Sequence, residues 1–158
     1  MAVKSVGAKI TPESRLRSLI EKFDPKDQNL IRSVRSAVRK RLPTANELVY
    51  DYGTSLVIGY SPTEHGVESI VSTAARNDGV RLYFMHGPRL PDPKKLLMGS
   101  GKQARFIPVT AAKELTHPDV EALIVAAIDR ASVPLPSTAH GRLVIKPTAA
   151  SKRGSGAV

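Results

Sequence analysis

Gly99-Ser100-Gly101 runs directly into Lys102, and Arg105 follows three residues later. Small residues leading into cations are the raw material of a phosphate cradle. Glycines let backbone N–H groups turn toward an anion, and the lysine adds charge. A nucleotide-binding P-loop also needs a glycine five residues before its Gly-Lys pair and a hydroxyl residue after the lysine. Here those positions hold Leu96 and Gln103, and the pattern that follows is a strand, not a long helix. Nucleotide hydrolysis of that kind is not expected. The smaller chemistry remains: an anion-binding concavity from the N–H groups of Ser100 and Gly101, with Lys102 and Arg105 beside it.

Other chemistry is scarce. With no cysteine in 158 residues, disulfides, thiolate zinc sites and cysteine nucleophiles are excluded. His65, His86, His117 and His140 are scattered, without the close spacing of paired metal ligands. Only His86, at the end of a strand pattern next to the loop, is a site candidate. There is no Gly-x-Ser-x-Gly elbow and no EF-hand pattern. The reading is a non-enzymatic domain without a metal or cofactor. Tyr50, Tyr60 and Tyr83 all fall on strand patterns. They either line a ligand pocket on the sheet or are core tyrosines with bonded hydroxyls, and the sequence fits both equally well.

A second basic set lies elsewhere. Arg32, Arg35 and Arg39 fall within about 60° of one another on a helix, on the face opposite its apolar stripe. Lys40-Arg41 continues the set, and Lys152-Arg153 lies in an acid-free C-terminal segment. These residues suit sequence-independent, salt-sensitive contacts to nucleic-acid phosphates. The net charge of +10 permits this and is concentrated at the two ends. Residues 1–43 carry net +7, 44–85 net −3, 86–131 net +2 and 132–158 net +4.

The elements that must position these groups follow from periodicity and punctuation. Thr11-Pro12 and Asp24-Pro25 each read as an N-cap followed by proline at the first helical position. Leu16, Leu19, Ile20 and Phe23 make one apolar stripe, and Leu30, Ile31, Val34, Ala37 and Val38 a second. Strand patterns follow at 46–52, 55–61 and, more weakly, 66–77. After the turn Asn77-Asp78-Gly79 come strands at 80–86 and 105–109, the last marked as an edge by Pro108. The connection Gly87–Gly101 is long and holds Pro88, Pro91 and Pro93, a length that is often functional. Within it, Asp92-Pro93 predicts one helical turn ended by Gly99. A final helix over His117–Ala131 has Thr116 and Asp119 at capping spacing. From Pro134 the composition changes to a basic tail, partly mobile, in which Arg142–Lys146 offers a short edge strand. The division is therefore 1–133 for the domain and 134–158 for the tail.

The order α-α-β-β-β-β-β-α predicts an α+β two-layer sandwich. Its antiparallel sheet of about five strands has helices packed on one face. No apolar run reaches the ~18 residues of a membrane span, and the N-terminus lacks the apolar core of a signal peptide. A soluble cytoplasmic protein is expected.

Three stretches, ELVYDYGTSLVIGYSPTE, LYFMHGPRLPDPKKLLMGSGKQARFIPV and LTHPDVEALIVAAI, together resemble the YdhG-like bacterial family, domain of unknown function 1801. The resemblance covers about residues 14–132. It implies a frataxin-like or YjbR-like sandwich and no particular reaction. One branch of the family is associated with iron delivery, which would need oxygen ligands such as Glu47 and Asp51. The first two helices, at net +7, depart from the acidic first helix of frataxins. The expected function is binding, at the 87–105 loop, of a small anionic ligand or a partner segment. Nucleic acid is the alternative partner and iron delivery the least favoured.

Overall fold

The computed structural model describes residues 10–150. Helix α1 (Pro12–Ile20) opens with a reciprocal cap: the Ser14 N–H donates to Thr11 Oγ1 and the Thr11 N–H to Ser14 Oγ. Helix α2 (Pro25–Arg41) begins after Asp24, whose side chain makes no capping bond. Gln28 Nε2 instead ties back to the carbonyls of Glu21 and Phe23 and fixes the corner between the helices.

Strands β1 (Asn46–Asp51), β2 (Leu56–Ser61), β3 (Val71–Arg76), β4 (Gly79–Met85) and β5 (Ala104–Val109) form an antiparallel meander. Helix α3 is Pro118–Asp129, and β6 (Leu143–Lys146) then pairs parallel with β1. The sheet order is β5-β4-β3-β2-β1-β6. The fold is α+β with helices against one face of an open sheet, as the sequence predicts. It differs in having six strands with one parallel pair, and the sixth lies within the segment assigned to the tail.

Alternation decides which face each strand residue serves. Val49, Ile58, Tyr60, Val71, Leu82, Phe84 and Ile107 turn toward the helices and are buried. There they meet Leu16, Leu19 and Ile20 of α1, Ile31, Val34 and Val38 of α2, and Leu123 and Ile124 of α3. The other face carries Leu48, Tyr50, Gly59, Ser72, Ala74, Arg81, Tyr83 and Phe106 by register. The 62–69 loop closes the β1–β2 half of that face. A Cβ on Gly59 would come 2.7 Å from Ser69 Oγ, and one on Gly66 2.1 Å from the Tyr50 hydroxyl. Lys146 Nζ donates to the Glu64 carbonyl at 2.8 Å and Asn46 Nδ2 to the Thr63 carbonyl at 3.0 Å, holding that loop down.

The cap of α3 is shifted by one residue. His117 is the N-cap, its Nδ1 accepting from the Asp119 N–H at 3.2 Å, while the Thr116 hydroxyl turns back to the Lys113 carbonyl. Pro118 at the first helical position makes its predecessor the cap, which Thr116 is not. No helix among the described residues is long and apolar enough to cross a membrane.

Candidate functional site

The connection between β4 and β5 has a defined path. His86 leaves β4 in the left-handed region, φ 58°, and its carbonyl accepts from Arg89 at the 3-10 turn Gly87–Arg89. Gly87 then passes so close to β5 that a Cβ there would lie 2.8 Å from the Arg105 nitrogen. No other residue type fits at that crossing. Asp92 organises the next segment, accepting from the N–H groups of Leu96 at 2.8 Å and Leu97 at 2.9 Å. The expected helical turn does not form. Lys95 sits at φ 54°, so the chain folds as a turn around the Asp92 carboxylate and then extends. Met98 consequently pairs with Phe106 on the outer edge of β5. Asp92→Ala should cost about 1 kcal/mol, as for a lost helix cap. Faster hydrogen exchange at the Leu96 and Leu97 amides would reveal it.

The residues singled out from the sequence do not converge. Ser100, Gly101 and Lys102 are exposed at the loop tip. Arg105 turns back on the loop, its Nε donating to the Gly101 carbonyl at 2.9 Å, so it braces the tip. His86 is exposed at the strand corner. Tyr60 lines no pocket: it is 0% exposed on the helix face, and its hydroxyl donates to Glu47 at 3.0 Å. Burial, with the Glu47 charge second, holds that phenol far above the ordinary range. Tyr50 stacks on Tyr52 at 5.9 Å beneath the 62–69 loop, and Tyr83 lies against Phe106 at 5.2 Å, on different strands of the open face.

The arginine face of α2 is also partitioned. Arg35 lies about 40° from Ile31 on the helix, at the border of the apolar stripe, and turns inward. Its Nε and Nη2 donate to the Glu47 carboxylate, both at 2.9 Å, and Glu13 takes the remaining fork. The Glu47 bond, against a smaller opposing effect of burial, raises the Arg35 pKa further. Arg39 approaches Glu47 at 3.6 Å, and Arg41 pairs with Glu121. Among the described residues Arg32 and Lys40 make no ion pair. Lys152 and Arg153 lie outside the described residues.

These bonds also bear on iron. Glu47 is committed to Arg35, Arg39 and Tyr60, and Asp51 Oδ1 accepts from the Gly53 N–H at 2.9 Å. Among the described residues no three histidine, aspartate or glutamate side chains converge on one point. The residues present do not fit a hard cation, which needs several oxygen ligands around one centre.

A site that the sequence did not indicate lies just beside the loop. A groove of about 820 Å³ runs between the 95–98 segment, the β5 edge and the start of α3. Leu96, Met98, Ile107, Pro108 and Val120 give it an apolar floor, with Lys95, Lys113, Glu114, Thr116 and His117 at its walls and rim. Glu114 is held by the Thr110 N–H at 2.9 Å and the Thr110 hydroxyl. Partial burial acts against ionisation of that carboxyl, but these bonds together bring its pKa below the ordinary value. Because His117 Nδ1 accepts an N–H, the ring proton sits on Nε2, which is a donor. An apolar trough rimmed by two ammonium groups, an imidazole N–H and the Glu114 carboxylate, which Thr110 already bonds, keeps a net positive rim and can hold a molecule with an apolar body and a negative end. Its residues come from three separate segments, so no local motif marks it. No family model matches the chain, and neither does any curated protein or solved structure.

Proposed function

We propose that the chain is a non-enzymatic binding domain that takes a small amphipathic anion through its 87–105 loop, in the groove beside Lys95–Met98. The observation that carries this reading is the coincidence of an apolar floor with a rim of two lysines against one carboxylate, Glu114, at the end of a loop with five basic residues and one acid. That acid, Asp92, is already bonded to two backbone N–H groups and does not oppose an anion directly. Membership of the YdhG-like family belongs to the same proposal; it rests on the resemblance of the three sequence stretches alone and implies no reaction. Lys102, exposed and without an ion pair among the described residues, would extend the basic rim toward the loop tip.

Naphthyl phosphate, octanoate, octanol and inorganic phosphate make the discriminating set in thermal-shift titrations. The two amphipathic anions should stabilise the protein, while octanol and inorganic phosphate should do so far less. Lys95→Ala and Lys113→Ala should each weaken binding about two- to fivefold, the worth of an exposed charge pair. Val120→Asp should abolish binding by placing a carboxylate on the floor. Equal shifts in the parent and the double lysine variant would exclude the groove.

A further inference from the structure

The half of the open sheet face that the 62–69 loop does not close carries a second constellation, distinct from the groove. In β4, Arg81, Tyr83 and Met85 alternate outward. Tyr83 is directly opposite Phe106 of β5, and Arg81 is opposite Ala74 of β3 and Pro108 of β5. The Arg81 guanidinium lies over the Phe106 ring, 4.2 Å from its centroid, and its Nη1 donates to the Tyr83 hydroxyl at 3.2 Å. Arg81 is thus held over the ring by two contacts, yet among the described residues it makes no ion pair. The Tyr83 hydroxyl accepts from Arg81 and keeps its own proton to donate.

Arg76 is on the same face at one end of β4 and the loop tip with Lys102 is near the other. The strand between them runs about 20 Å at roughly 3.4 Å per residue. The surface is aromatic and cationic, floored by Ser72 and Ala74, with the Tyr83 and Phe106 rings tilted 44° to each other. Phosphates need the charges, and unpaired bases need planar platforms, for which an aromatic-backed guanidinium serves as well as a ring. A duplex hides its base faces, and an acidic peptide has no use for the platform.

We propose that this β3–β4–β5 face binds single-stranded nucleic acid, with a base stacked on the Arg81–Phe106–Tyr83 cluster and phosphates toward Arg76 and Lys102. The idea does not depend on the groove. The test is fluorescence anisotropy of the full chain with labelled oligo-dT and oligo-U of about 12 nucleotides at about 50 mM salt, beside a duplex of equal length. Single strands should bind more tightly than the duplex. Arg81→Ala and Tyr83→Ser should each lower affinity about tenfold. Arg81→Lys, which keeps the charge and loses the plane, should fall nearly as far. Lys95→Ala/Lys113→Ala should stay within about twofold of the parent. All four positions are at the surface, and circular dichroism verifies that each variant is folded. Absence of binding, equal affinity for duplex, equal competition by polyglutamate, or an Arg81→Lys protein that binds like the parent would each overturn the proposal.

Discussion

Glu47→Ala should lower the free energy of unfolding by about 3–5 kcal/mol, the cost of breaking one side of a buried ion pair. Glu47 is 5% exposed, and its carboxylate receives two bonds from Arg35 and one from Tyr60. Removing it strands a guanidinium whose side chain is 15% exposed and a phenol that is fully buried. Glu13 remains as a partner of Arg35 at 2.7 Å, which places the loss toward the lower end of that range. Tyr60→Phe, which leaves the charges paired, should cost only about 1 kcal/mol. The double change Arg35→Met/Glu47→Leu should recover part of the stability, because apolar filling removes the desolvation penalty of both ions while the buried Tyr60 hydroxyl still lacks its acceptor. Urea unfolding with an unchanged slope would measure all three. A Glu47→Ala protein within about 0.5 kcal/mol of its parent, the range of ordinary surface changes, would show that water reaches these charges.

The same cluster has an acid limit. The Arg35 bond is the largest influence on Glu13, outweighing partial burial, and the charges of Arg35, Arg39 and Arg17 add to it. The Glu13 carboxyl therefore titrates below its ordinary value of 4.5. A depressed folded-state pKa contributes stability that is complete above the unfolded value and is lost as pH falls through the folded one. Stability should decline below about pH 4.5 by linkage, and Glu13→Gln should make that decline shallower. Because Glu13 is 55% exposed, solvent screening keeps its share small.

Elements with strong local signals were legible in the sequence. Pro12, Pro25 and Pro118 mark the three helix starts, and period-two alternation finds β1, β2, β4 and β5. What failed depended on distant chain. The angle between Arg32, Arg35 and Arg39 is fixed by helix geometry. That Glu47 lies beneath Arg35 is fixed by how α2 crosses β1, and no helical wheel contains it. Even so, a residue 40° from Ile31 borders the buried stripe, and that was a usable warning. Tyr60 alternates with Ile58 and Leu56, so its burial was as readable as theirs. Its hydroxyl partner was not. The groove draws on residues 95–98, 107–108 and 113–120, which share no local pattern. Alternation with Val80 and Leu82 assigns Arg81 to the open face. Its cation–π contact with Phe106 needed the register of β4 against β5.

Gly141→Ala should detach β6 from the sheet, an effect that local sequence gives no reason to expect. Gly141 has no positive φ to explain the glycine, so space decides. A Cβ would lie 1.7 Å from the Ala45 carbonyl oxygen, 2.5 Å from its carbon and 3.2 Å from the Asn46 nitrogen. These are backbone atoms at the entry to β1, and they cannot swing aside as a side chain would. The close approach permits a run of bonds: the Gly141 N–H to the Pro43 carbonyl at 3.4 Å, the Arg142 N–H to Asn46 Oδ1 at 2.9 Å, and the Glu47 N–H to the Arg142 carbonyl at 2.8 Å. The last of these leads directly into the parallel pairing of Glu47 with Leu143. Overpacking of this kind costs about 1–3 kcal/mol, concentrated here on four residues at the sheet edge. Native-state hydrogen exchange should therefore accelerate about tenfold or more at the Glu47 amide while Leu82 and Phe84 in β4 keep their protection. Gly79→Ala is the contrasting case. A Cβ there meets nothing within 4 Å, but φ is +134°, so its cost is backbone strain at the β3–β4 turn. Its exchange should rise around Arg76 and Val80 and leave Glu47 unchanged. If Gly141→Ala left the Glu47 amide as protected as in the parent, β6 would not depend on that close approach.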